Sequence, residues 1–152
     1  MPYKIISRIH KLAAITATLC IALFFTSTLI VELFGSHEAI ALVKSRILFP
    51  GLLVLIPAII ATGGSGFVLS KNRRSRLIHQ KKKRMPMIGA NGMLILIPCA
   101  IVLDKWAAVG SFGTTFYLVQ SLELMAGGIN LALMGFNMRD GMLLSGKLRR
   151  TT

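Results

Sequence analysis

The sequence predicts an all-α membrane protein, with four transmembrane helices in an up-down-up-down bundle and both termini on the cytoplasmic side. Three observations carry this. Of the 152 residues, 54% are hydrophobic, against about 45–50% in soluble domains. Charged residues make up only 15% of the chain and are bunched between long apolar runs, whereas a soluble surface needs them spread. The bunches also share one sign. Of 18 Lys and Arg, 15 lie in three segments, Lys4 to Lys11, Lys71 to Arg84 and Arg139 to Arg150. Alternating spans put these on one side, which is the positive-inside pattern.

One four-helix domain, 1–152, accounts for the whole chain. The first helix is predicted at 12–34. Its basic start mimics a signal peptide, but 23 residues from Leu12 to Phe34 exceed the roughly 7–15 of a signal's apolar core. Gly35-Ser36 ends it, and Ser36 is a natural cap for a helix whose positive end favours Glu38. The second helix is predicted at about 40–69, with its apolar run starting at Ile47 and bends at Pro50 and Pro57. A basic loop, 71–86, lies against anionic headgroups. The third helix is predicted at 87–106, bent at Pro98 and ending on Trp106 in an interfacial belt. The fourth is predicted at 114–138.

The net charge of +13 resembles a nucleic-acid footprint. The positive-inside distribution accounts for it, so no nucleic-acid partner is expected. Cys20 and Cys99 fall in apolar runs and read as small buried hydrophobes.

Polar residues inside spans mark the inner surface of a bundle. In the fourth helix Gln120, Glu123, Gly127, Asn130, Met134 and Asn137 recur at spacings of three and four, which is one face. Glu123 is the one carboxylate well inside a predicted span. It serves either as interhelical glue, at about 1 kcal/mol per contact, or as a proton site. On the first helix Ala14, Ala17, Ile21, Thr28 and Glu32 share a face with His10. Asn91 stands in Gly89-Ala90-Asn91-Gly92, opposite the glycines at 63, 64 and 66, so little side-chain volume fills the cytoplasmic half.

Three histidines are candidate ligands. His10 and His37 flank the first helix, about 40 Å apart, and cannot share a metal. His10 and His79 both return to the cytoplasmic side and are expected to hold one b-type haem. Arg8, Arg73, Arg74 and Arg76 would then pair with its propionates. His37, with Arg46 nearby, is the candidate for a second haem, or for copper, which imidazole suits.

Three segments resemble a family of small four-helix inner-membrane proteins of proteobacteria. They are Val31 to Glu38, Ala61 to Phe67 and Lys82-Lys83-Arg84-Met85-Pro86. The resemblance implies a multi-pass protein of the bacterial cytoplasmic membrane. More loosely, the arrangement is similar to four-helix membrane cytochromes b, although three histidines are too few for two haems each held by a pair. The expected function is haem-based electron transfer or quinol-linked redox chemistry. The alternatives are a non-catalytic membrane subunit or assembly partner, and a small proton-coupled transporter. Expected partners are the lipid bilayer, a quinone or redox protein, and a second copy of the chain. There is no phosphate loop, no zinc helix and no Cys-x-x-Cys-His site for covalent haem.

Overall fold

The apolar runs form helices that extend well past the hydrophobic stretches themselves. The computed structural model describes residues 3–71 and 76–146. Helix α1 covers Tyr3–Phe34, α2 His37–Arg46, α3 Leu52–Ser70, α4 Arg76–Asn91, α5 Ile97–Ala108 and α6 Thr114–Leu144. A kinked segment at Ile47–Gly51 joins α2 to α3, and a single π-helical turn at Gly92–Leu96 joins α4 to α5. The result is four spans long and apolar enough to cross a membrane: Tyr3–Phe34, His37–Ser70, Arg76–Ala108 and Thr114–Leu144. A 32-residue helix such as α1 is roughly 48 Å long and crosses about 30 Å of hydrocarbon, so its ends project.

Local chemistry explains each boundary. Nothing between Tyr3 and Phe34 is Gly or Pro, so the helix begins at Tyr3, well before the apolar run at residue 12. Ser36 caps α2 as expected, its Oγ accepting from the Ala39 amide at 3.3 Å. The bend expected at Pro50 is a kink between α2 and α3. Phe49, at φ −140° and ψ 121°, has the extended conformation that a following proline favours. Pro57 lies within continuous α3. Near Pro98 the irregularity falls just before the proline, in the turn Gly92–Leu96, and Pro98 occupies the first turn of α5, where its missing N–H costs nothing.

The main departure is the basic loop expected at 71–86, which is helical from Arg76. Leu77 to Met85 contains no Gly or Pro and is rich in Lys, Arg, Gln, Leu and Met, which are good helix formers. Ile78 and Ile88 are buried, and Arg84 pairs with Asp140 of α6 at 2.6 Å.

Cross-chain contacts define two ends. At the basic end, the beginning of α1 meets the end of α3 through His10 and Thr62, and α4 meets the end of α6 through Arg84 and Asp140. At the aromatic end, the Phe112 ring, between α5 and α6, stacks on His37 at 4.1 Å and 7°. Phe116 meets Phe112 edge-on. One apolar core joins Ala17, Ile21, Leu55, Ala58, Ile88 and Met134. A second, nearer the aromatic end, joins Ile40, Cys99, Leu103, Ala107 and Phe116. Leu12, Leu19, Leu23, Leu53, Ile60, Leu118 and Met125 are exposed, which suits a lipid-facing surface.

Candidate functional site

On α2 and the first residue after it, Ile40, Lys44 and Ile47 are all buried, at 3%, 1% and 6% exposure. That i, i+4, i+7 spacing is one helix face. It points inward, so it carries the Lys44 ammonium into the bundle. On α6 the inward face is Phe116, Gln120, Ala126, Gly127, Asn130, Met134, Asn137 and Asp140. Small residues let α1 come close, and a Cβ added at Gly127 would lie 3.4 Å from the Phe25 ring.

These faces meet in an ion pair. Lys44 Nζ donates to Glu123 Oε2, and Gln120 Nε2 donates to the same oxygen at 3.3 Å. Glu32 of α1 stands close enough to interact electrostatically with Lys44, Glu123 and His37. Cys99 of α5 also lies within the field of the pair. Two oxygens here, Glu32 Oε1 and Gln120 Oε1, are buried with no hydrogen-bond partner among the described residues. The cluster therefore joins two carboxylates, one ammonium and one amide from α1, α2 and α6.

Two further polar contacts run toward the basic end. Asn91 Nδ2 donates to Asn130 Oδ1 and to the Ala126 carbonyl, both at 2.8 Å. Asn130 Nδ2 reaches the Ile88 carbonyl at 3.4 Å. These bonds occupy side chains that sequence singled out as a polar core. Beyond them, Arg84 lies over the Phe136 ring, 5.4 Å from its centre, while bonded to Asp140. Asn137 Oδ1, on the same α6 face, is buried and unpartnered among the described residues.

No family model, curated protein or solved structure matches this chain. Function must be argued from the side chains.

The histidines occupy three different settings. His10 is half-buried, and its Nδ1 lies 3.1 Å from both the Thr62 carbonyl and Ser65 Oγ. The Ser65 hydroxyl is committed to the Ala61 carbonyl and the Thr62 carbonyl can only accept, so Nδ1 is the ring nitrogen that donates here. Gly66 makes room for the ring, since a Cβ there would come within 3.1 Å of His10 Cε1. His79 is exposed in the first turn of α4 and is not among His10's partners. His37 is exposed and stacked on Phe112. Arg8, Arg46 and Arg76 are exposed, and Arg73 and Arg74 lie outside the described residues. For a haem held between two imidazoles, these residues supply one oriented ring, His10.

Sequence reasoning found Gln120, Glu123 and Asn130 from their spacing, and Asn91 from its place among the glycines of the third helix. It did not single out Lys44, nor Arg84 and Asp140 as a pair. The signal for Lys44 was present in its position between Ile40 and Ile47 on an apolar stripe.

Proposed function

We propose that this protein is a small proton-coupled carrier of the bacterial cytoplasmic membrane, with four alternating spans and both termini inside. The buried Lys44–Glu123 pair is its coupling site, and that pair is the observation that carries the reading. Charged groups within a span are costly and are retained where a pathway or relay needs them. A buried ion pair is also a poor stabiliser compared with well-packed apolar residues, so its presence calls for a role. Protonation of Glu123 would release Lys44, and Glu32 is the nearby carboxylate able to receive it. A proton arriving would thus become a rearrangement between α1, α2 and α6.

The test uses purified protein in liposomes loaded with a pH-sensitive dye, with proton uptake driven by an imposed membrane potential. The expected result is uptake in the parent protein that is lost in Glu123→Gln reconstituted at the same protein content. Uptake equal to that of empty liposomes, or equal in parent and variant, would end this reading.

A second reading, b-type haem acting in electron transfer or quinol-linked redox chemistry, is favoured by the setting of His10. A metal-bound imidazole usually donates its other N–H to a carbonyl or carboxylate, as His10 does to Thr62. When bound, haem would supply one-electron chemistry, and Arg8 and Arg76 are the described cations available for its propionates. The check is an absorption spectrum before and after dithionite reduction. Sharp α and β bands lost in His10→Ala would support it, and a flat visible spectrum would remove it.

A further inference from the structure

We propose that a small monovalent metal cation binds at the mouth of the charged cluster, held by Glu32 Oε1 and Gln120 Oε1. The proposal rests on the carrier reading above and names a second ion for the same site. Its basis is an imbalance in charge and hydrogen bonding. Lys44 and the Gln120 amide both serve Glu123 Oε2, so Glu123 is compensated. Glu32 has no such donor among the described residues, and with both carboxylates ionised and His37 neutral the cluster keeps one negative charge.

The orientation of Gln120 strengthens the case. Turning its amide over would set its oxygen against the Glu123 carboxylate, so Nε2 must face Glu123 and Oε1 must face away. That oxygen belongs to a side chain only 3% exposed and has no partner among the described residues. A buried acceptor without a donor costs about 1–3 kcal/mol. Glu32 Oε1, on the opposing helix, is in the same condition. Two orphaned acceptors, one of them an oxygen of the carboxylate that Lys44 does not bond, call for positive charge.

The donor set narrows the ion further. Among the described residues no group of three or more His, Cys, Asp and Glu forms a metal site, which disfavours a transition metal. Carboxylate and amide oxygens suit hard cations. One residual negative charge beside the Lys44 ammonium suits a monovalent ion over a divalent one. Buried Thr28, one turn before Glu32 on the same face, is 3% exposed and brings a hydroxyl to that side. Access from water is short, because Glu32 lies near the end of α1 and both His37 and Glu38 are exposed.

The test is thermal unfolding of the full chain in an uncharged detergent, with lithium, sodium, potassium or choline chloride at constant ionic strength. We expect one alkali cation to raise Tm saturably, choline to leave it unchanged, and the rise to vanish in Glu32→Gln and in Gln120→Leu. Glu38→Gln, at the exposed carboxylate nearby, should keep the rise. Equal Tm in all four salts would overturn the proposal, and so would a rise that persists in Glu32→Gln. Should Glu32→Gln fail to fold, Glu32→Asp serves instead. It should shift the half-saturating cation concentration upward, and an unchanged value overturns the proposal. If cations have no effect while dye-reported proton uptake still depends on Glu123, only the second ion is wrong. Loss of both results removes the carrier reading as well.

Discussion

Lys44 shows how one side chain can be costly and still be kept. Its side chain is 1% exposed and that of its partner Glu123 12% exposed, so breaking the pair leaves a buried charge. We expect Lys44→Met to lower stability by about 3–5 kcal/mol, measured by unfolding in detergent. The double variant Lys44→Met with Glu123→Met should recover most of that loss, since apolar residues of similar volume often replace a buried pair without cost. It should nevertheless show no proton uptake. If the double variant stayed as unstable as the single one, the pair would be acting as structural glue. Gly66 offers a separate test. A larger side chain there meets His10 and Met85 at 3.1 and 3.2 Å, whereas Gly64 has open space around it. Gly66→Leu should therefore cost about 1–3 kcal/mol through overpacking. Gly64→Ala should be neutral or slightly stabilising, because alanine is the better helix former.

At the scale of the element, α4 and α6 depend on each other. The packed side of α4 bears Ile78, Arg84 and Ile88, while Arg76, His79, Lys82 and Lys83 are exposed. Its charge run is thus divided by helical geometry into a bonded part and a solvated part. Lys82→Gln with Lys83→Gln should leave Tm unchanged, while Asp140→Asn, which strips Arg84 of its counter-charge, should lower it. Equal effects from the two variants would mean that Arg84 is as solvated as its neighbours. Nearer the middle of the bundle, Asn91 and Asn130 bond to one another and to backbone carbonyls beside the π-helical turn Gly92–Leu96. Interhelical bonds of this kind are worth about 0.6–2 kcal/mol each. Asn91→Leu and Asn130→Leu share a bond, so their combined cost should be smaller than the sum of the two measured singly.

For the whole molecule, the charge asymmetry predicts orientation. Reporter domains active only in the cytoplasm should be active when fused to either terminus and inactive when inserted between Val109 and Gly113. Activity at one terminus alone would rule out an even number of crossings. The spans themselves were legible because hydropathy and charge bunching are additive along a chain, and a bilayer reads them almost locally. The cap at Ser36 and the disturbance near Pro50 were equally local. Position along the chain also marked Gln120, Glu123, Asn91 and Asn130 as inward-facing. It could not show that Asn91 and Asn130 bond to each other, or that the basic stretch from Arg76 is helical and packs against α6. Those outcomes depend on which faces meet. The Lys44–Glu123 pair is the sharpest example, since its members lie on separate helices and each alone is an isolated charge in a span. Composition and spacing determined that this is a four-span membrane protein with a polar inner face. Only the tertiary structure decided which polar groups compensate one another, leaving Glu32 and Gln120 with oxygens unpaired, because a hydrogen bond is set by distances of a few ångströms between chain-distant atoms.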